Sequence, residues 1–234
     1  MLSNLGHTIV DPVPSLFTFR IADNRLKDLA GVSVSHGEAR IEGTKHAHEG
    51  PLLVTHHGLS GPGILKLSAW AARELAEVNY NFTIRVNWDA RFDKESAIDY
   101  LIDFKQEHAR KQVKTYSPFK MPHRLWVSLL QSLGTVAEAT WASISLKQLD
   151  LIAEAAVRSY FDVSGKNTFK DEFVTAGGIE LKEVDFKTMQ SKRLPGVFFA
   201  GEVLNIDAVT GGFNFQAAWT TSWIAAAGMA NREE

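Results

Sequence analysis

The chain has 234 residues, 45% of them hydrophobic, with 25 Lys+Arg against 27 Asp+Glu and no cysteine. That is enough apolar chain for sizeable cores, and too balanced a charge to mark a nucleic-acid backbone or an anionic membrane as partner. Without cysteine there are no disulfides, thiolate metal sites or thiol nucleophiles, so any redox chemistry must come from a bound cofactor.

The start, "MLSNLGHTIVDP", lacks the basic and apolar segments of a signal peptide, and no run of about 18 apolar residues suggests a membrane span. A cytoplasmic location is expected. From Val13 to Trp88 the pattern is mostly period two. "LFTFRI" sets Phe17, Phe19 and Ile21 on one face, and "NFTIRVNW" does so with Phe82, Ile84, Val86 and Trp88. Between these strands "GVSVSHGEARIEG" reads as a hairpin. "LSGPGILKLSAWAARELAE" reads as a single helix with Ser60 as N-cap and Pro62 in its first turn.

From Asp93 to Tyr160 the period becomes 3.6 residues. Ile98, Leu101, Ile102, Ala109 and Val113 form one stripe, and Leu125, Trp126, Leu129, Leu130 and Leu133 another. Ser145 and Gln148 make a capping box ahead of a third helix, and Pro118 and Pro122 separate the first two. This stretch is expected to be a small all-helical array. Strand character returns in "DEFVTAGGIELKEVDF", whose Gly-Gly pair marks a tight turn or a close approach. "LPGVFFAGE" then reads as a turn, a short buried strand and a second turn, followed by a long apolar helix to about Met229.

The stretch "GEVLNIDAVTGGFNF" carries the chemistry. Gly211 and Gly212 precede the last helix, whose first N–H groups and positive dipole end attract partial negative charge. Glycine there lets a flat ligand approach the backbone. Glu202 is placed to accept hydrogen bonds from hydroxyls, with Asn205, Asp207, Thr210 and Asn214 as short polar groups in the same loop. A polyol beside an electron-poor ring satisfies both halves, as in the ribityl chain and isoalloxazine of a flavin; a capped helix with a polar loop accounts for the same residues.

Other constellations are less complete. "HHGLSGPG" suggests Ser60 as a nucleophile with His56 or His57 as base, but Pro62 stands where a nucleophile elbow requires its last glycine. His46, His48, His56 and His57 lie close in sequence, yet no carboxylate at ligand spacing completes a set, so no metal is expected.

"TAGGIELKEVDFKTMQSKRLPGVFFAGEVLNIDAVTGGFNFQAAW" resembles the C-terminal signature of the BaiN-like flavoproteins, an aminoacetone-oxidase-like, NAD(FAD)-utilising dehydrogenase family. "LGHTIVDPVPSLFTF" and "THHGLSGPGILKLS" resemble its internal motifs. The resemblance implies an α+β protein of several parts: a β-barrel-like insert (12–92 and 161–188), an all-helical array (93–160), and pieces of a Rossmann-like FAD-binding domain at 1–11 and 189–234. The last would be a C-terminal strand and helix remnant. It also implies FAD as cofactor, with Gly201 and Glu202 at the ribityl or pyrophosphate region and Gly211, Gly212, Phe213 and Asn214 at the ring edge. Asp207 and Thr210 lie in the same loop. NAD(P)H is the electron donor its naming suggests, and His56, His57 and Ser15 are candidates to face the flavin from the insert.

The sequence departs from the family pattern at Asn205, usually Asp, at Ala208, often Gly, and at Phe213, usually Tyr. No G-x-G-x-x-G, the cradle of an FAD pyrophosphate, occurs in the 234 residues. The expectation is therefore a portion of an FAD-dependent oxidoreductase that binds flavin weakly or not at all alone and is inactive by itself. The alternative is a non-catalytic interaction module. No nucleic acid or membrane partner is expected. A homodimer through the exposed C-terminal strand and helix is.

Overall fold

The computed structural model describes residues 1–165 and 172–230. Its centre is a six-stranded antiparallel sheet formed by β2 (Phe19–Arg20), β3 (Ser33–Ile41), β4 (Ala47–Thr55), β5 (Gly58–Ser60), β6 (Asn81–Asn87) and β7 (Ser159–Ser164), in the order β2-β5-β4-β3-β6-β7. The two edges approach each other. Arg20 N–H donates to Gly165 O at 3.1 Å, so the sheet is a nearly closed barrel. Alternation fills it: Phe19, Leu52, Val54, Leu59, Ile84, Val86 and Phe161 are all buried.

Helix α1 (Pro62–Trp70) packs against β3 and β4 and buries Ile64 and Leu67 completely. Its cap differs from the one expected. Ser60 ends β5, Gly61 takes the N-cap position at φ 94°, and Pro62 opens the helix without a side-chain cap bond. The expected single helix is also two, because Ala71 (φ −101°, ψ 10°) leaves the helical region before α2 (Ala72–Glu77) begins.

The helical array comprises α3 (Lys94–Glu107), α4 (His123–Gln131) and α5 (Leu146–Val157). The capping box of Ser145 with Gln148 is present, and a second one joins Asp93 to Ser96 at the start of α3. Helix α3 ends before Ala109, and Val113 instead begins a short 3-10 turn whose carbonyl accepts the indole N–H of Trp126 at 2.9 Å. Barrel and array share one core containing Trp88, Trp126 and Trp141. Their junction is pinned by Asp89, 1% exposed, which accepts from Arg91 Nε at 2.7 Å and Lys120 N–H at 2.8 Å.

A separate ribbon of β1 (Ile9–Phe17) and β8 (Glu172–Ile179) leads out of the barrel, antiparallel, with a register shift between Val10 and Val13. Gly177 and Gly178 face that shift at φ 123° and 130°. A Cβ on Gly178 would lie 2.5 Å from Val203 O, so the backbones touch there and only glycine fits. The ribbon ends on a second, smaller core of Ile179, Val184, Met189, Phe199, Leu204 and Ala225. Around it lie the short hairpin β9 (Val184–Asp185) and β10 (Gln190–Ser191) and the 18-residue helix α6 (Phe213–Ala230).

The buried strand expected at "GVFFA" does not form a ladder. Among the described residues Phe198 makes one isolated bridge, to Gln190, and Leu204 one parallel bridge, to Ile179. A parallel strand needs neighbouring strands to pair with. The 197–200 segment therefore runs without a sheet of its own, and the chain then enters a 3-10 turn at Gly201–Val203.

Candidate functional site

Between the ribbon and the start of α6 lies a cavity of about 320 Å³. Leu16 and Val174 of the ribbon and Leu65 of α1 form one wall; Glu202, Val209, Thr210, Gly211, Gly212, Asn214 and Phe215 form the other. Each wall has a local cause. Leu16, 3% exposed, adopts φ 55°, a region a bulky side chain occupies only when its surroundings hold it there. The hold is visible on both sides: Phe17 N–H donates to Ser68 Oγ at 3.0 Å, and Ser15 Oγ donates to Asp207 Oδ2 at 3.1 Å.

The opposite wall is a glycine turn at a helix start. Gly211 (φ 122°) and Gly212 (φ 85°) take left-handed conformations, and nothing lies within 4 Å of where a Gly212 Cβ would stand. The first helical bond of α6 runs from Gln216 N–H to Gly212 O, leaving the N–H groups of Phe213, Asn214 and Phe215 outside the ladder. Asn214 does not offer its amide to the cavity. Its Nδ2 donates to Ala208 O and its Oδ1 accepts from Ala208 N–H, both at 2.9 Å, closing the 208–214 loop like a staple. Gly201 N–H donates to Thr221 Oγ1 at 3.0 Å, which docks the 3-10 turn at Gly201–Val203 on α6. Glu202, exposed, is the one ionisable group in the lining.

Of the residues singled out from sequence, Glu202, Thr210, Gly211, Gly212 and Asn214 thus come together on one cavity. Asp207, Gly201 and Phe213 lie around it. Ser15 is wholly buried and holds Asp207. His56 and His57 sit in the β4–β5 turn, and His56 lines a different cleft with Ile21, Asn24 and Lys27. His46 pairs with Glu74 at 2.6 Å, His48 packs on Trp70, and among the described residues no three His, Asp or Glu side chains gather closely enough to hold an ion. Sequence reading missed Leu16, Leu65, Val174, Val209 and Phe215, because apolar residues in strands and helices carry no mark separating cavity wall from core. No described helix is long and apolar enough to cross a membrane.

A second polar cluster lies beneath the smaller core. His7, 4% exposed, is bonded through Nδ1 to Glu183 Oε2 at 2.9 Å and through Nε2 to Ser191 Oγ at 3.1 Å. Arg193 donates to Glu183 Oε1 at 2.6 Å, and this bond, helped by Thr8 and His7, draws the Glu183 carboxyl down to about 2. Ser191 Oγ accepts from the N–H groups of Arg193 and Leu194, so the cluster ties the first residues to the β9–β10 hairpin.

A nearly closed barrel carrying a helical array is joined by a ribbon to a smaller core with an apolar, glycine-edged cavity, and it is the match to a family model and to a reductase that relates this architecture to flavoprotein oxidoreductase-like domains. The chain belongs to the HI0933-like family: the model of the HI0933-like protein barrel and H2TH domain matches residues 13–174. It is related to BaiN-like flavoproteins within that family. A ribosomal RNA dihydrouridine synthase of Escherichia coli (strain K12) is 31% identical over 207 residues, 86% of this chain and 47% of the relative. One from Haemophilus influenzae is 29% identical over 228 residues, 94% and 52% of the two chains. A 3-dehydro-bile acid delta(4,6)-reductase of Clostridium scindens is 24% identical over 243 residues, 98% and 56% of the two. The chain thus spans about half the length of the curated relatives it matches.

Proposed function

We propose that this chain forms the barrel, helical array and C-terminal core of an FAD-dependent oxidoreductase that saturates a carbon–carbon double bond conjugated to a carbonyl. The observation that carries this reading is the cavity itself: apolar walls, one carboxylate, and an exposed glycine turn at the start of an 18-residue helix. Those features fit the ring end of a flavin. The open backbone at Gly212 leaves room for a flat ring, and the unpaired N–H groups of Phe213 and Phe215 favour the edge that gains negative charge on reduction. Bound flavin would supply the two-electron chemistry, with NAD(P)H as the donor.

The chain's own residues bind and orient. Leu16, Leu65 and Val174 exclude water from one side of the cavity, which strengthens every polar contact inside it. Glu202 accepts hydrogen bonds from ribityl or substrate hydroxyls. The relatives' names support the reaction class, since dihydrouridine and a delta(4,6)-reductase both denote saturation of a ring double bond. No G-x-G-x-x-G occurs in the 234 residues. We therefore assign the pyrophosphate cradle to polypeptide outside them, and expect the isolated chain to hold FAD weakly and to be inactive alone.

The test is a visible absorption spectrum of the purified chain after incubation with FAD and desalting. A colourless protein that turns yellow when a family member's G-x-G-x-x-G segment is supplied supports the reading. A colourless protein under both conditions overturns it in favour of an interaction module, for which the exposed aromatic face of α6 is the supporting observation.

A further inference from the structure

The bottom of the cavity rests on a strained backbone. Leu16 and Val174, 3% and 6% exposed, are the two buried residues of its lining; the others are half-buried or exposed. Leu16 has φ 55°, where the Cβ of an L-residue crowds the carbonyl that follows and a bulky side chain is rarely found. Successive residues of a regular strand alternate between faces, yet Ser15, Leu16 and Phe17 are all buried at the end of β1. The left-handed step at Leu16 breaks that alternation.

Core packing does not account for it. Met189, also left-handed at φ 60°, places its side chain in the smaller core, where burial offsets the strain. Leu16 belongs to neither core, and neither does Val174, which lies in the ribbon opposite Ser15. What holds Leu16 is polar, and it comes from both walls of the cavity. Phe17 N–H donates to Ser68 Oγ, and the Ser68 hydroxyl donates at 2.8 Å to the carbonyl of Leu65, which stands in one wall. Ser15 Oγ donates to Asp207, in the loop that leads to Thr210, Gly211 and Gly212 of the other wall. Ser15 and Ser68 are both wholly buried, so water cannot replace either bond. The fold thus fixes a strained leucine between two walls and outside both cores, on the floor of the cavity. Backbone strain held in place where core packing does not require it points to function.

We propose that Leu16 is a specificity-determining residue of this cavity: its side chain is the platform on which the face of a bound flat ring rests, and the left-handed backbone brings that side chain to the floor. The inference rests on the flavin reading and deepens it by naming the residue that selects the ring end. A leucine side chain packs a ring face by area burial and offers no hydrogen bond. It therefore accepts a planar apolar face and disfavours a ribityl chain or a phosphate, which would lose their water there. The ring is directed inward, and the polyol outward to the exposed Glu202.

The full chain, labelled with 13C at leucine and valine methyls and with 15N at glycine, is titrated with flavin mononucleotide, and Leu16→Met identifies the Leu16 methyl resonances by their loss. Flavin mononucleotide is expected to shift the Leu16 methyls and the Gly212 amide together and saturably. Ribitol 5-phosphate, which lacks the ring, is expected to leave the methyls in place. Leu16→Gly suits the left-handed backbone and removes the platform. It is expected to stay folded and to weaken flavin mononucleotide by about tenfold, followed at the Gly212 amide, as the loss of one buried leucine contact implies. Leu16→Met, unbranched and of similar volume, is expected to bind within about twofold of the parent. A shift at Gly212 without one at the Leu16 methyls, or a Leu16→Gly chain that binds as the parent does, overturns the proposal and leaves the flavin reading standing. If neither resonance moves at concentrations on the order of 10 mM, the flavin reading fails and the proposal fails with it. If Leu16→Gly and Leu16→Asn, both suited to a positive φ, unfold, Leu16 is an element of the fold itself and the proposal is overturned.

Discussion

Ser15 and Asp207, 192 positions apart in sequence, are joined by a hydrogen bond of 3.1 Å from Ser15 Oγ to Asp207 Oδ2. The bond connects the ribbon that leaves the barrel to the loop that lines the cavity. Ser15 is fully buried, so its hydroxyl has no water to turn to when the carboxylate is lost. Ser15→Ala is expected to cost about 1.5–3 kcal/mol, the range for a hydrogen bond to a charged acceptor. Urea unfolding checks this. Because Leu16 follows Ser15 and holds its left-handed conformation between two such bonds, the same variant should also broaden the amide resonances of residues 207–212.

The backbone crossing at Gly178 gives a sharper contrast. An alanine Cβ there would lie 2.5 Å from Val203 O and 2.7 Å from the Leu204 carbonyl carbon, with φ at 130°. Neither obstacle is a flexible side chain. Gly178→Ala should cost more than about 3 kcal/mol or prevent the smaller core from forming. Gly212→Ala meets open space and only the strain of its positive φ, so about 1 kcal/mol is expected. Equal effects in thermal melts would show that the ribbon and the smaller core are not in backbone contact.

Much of this architecture is legible in the sequence, and the exceptions have physical causes. The period-two faces of Phe17, Phe19, Ile84 and Val86 and the capping box of Ser145 with Gln148 are local signals, and they appear as read. Ser60 misleads because a serine two residues ahead of a proline reads as a cap, whereas Gly61 takes that position where the chain turns tightly against Pro51 and Leu53. "GVFFA" has strand composition without ladder partners, and a strand exists only through its neighbours. Glu202, Thr210 and the glycines at 211 and 212 announce their cavity because unusual residues cluster in one loop. Leu16 and Leu65 do not, since only the fold shows which leucines border a void.

Acid stability should reflect Glu183. Its folded carboxyl, held by Arg193, Thr8 and His7, titrates at about 2 against an ordinary value of 4.5. A depressed folded pKa means that the unfolded state binds more protons in between, so the stabilisation is complete above about pH 4.5 and is lost as pH falls toward 2. Asp89 acts in the same direction: burial alone would raise its carboxyl, but the bonds from Arg91 and Lys120 outweigh burial and leave it lowered. Urea midpoints measured from pH 6 down to pH 3 should therefore fall, and Glu183→Gln should flatten that slope. A Glu183→Gln profile parallel to that of the parent would remove Glu183 as the source.

Helix α6 exposes Phe215, Trp219 and Trp223, at 69%, 69% and 79%, on successive turns of one face. Spaced by four residues, they form a continuous aromatic stripe, and the first two rings are already stacked at 6.1 Å. Water-exposed stripes of this kind drive association. For the chain on its own we expect self-association through this face, so that a homodimer forms whose apparent mass falls on dilution. Trp219→Glu with Trp223→Glu should give a monomer in light scattering. The unfolding free energy of that monomer should stay within about 0.5 kcal/mol of the parent's at high dilution, because neither side chain packs in a core. If the double variant still dimerises, the stripe is not the contact. If it unfolds outright, the two tryptophans belong to the fold itself and the stripe is not a free surface.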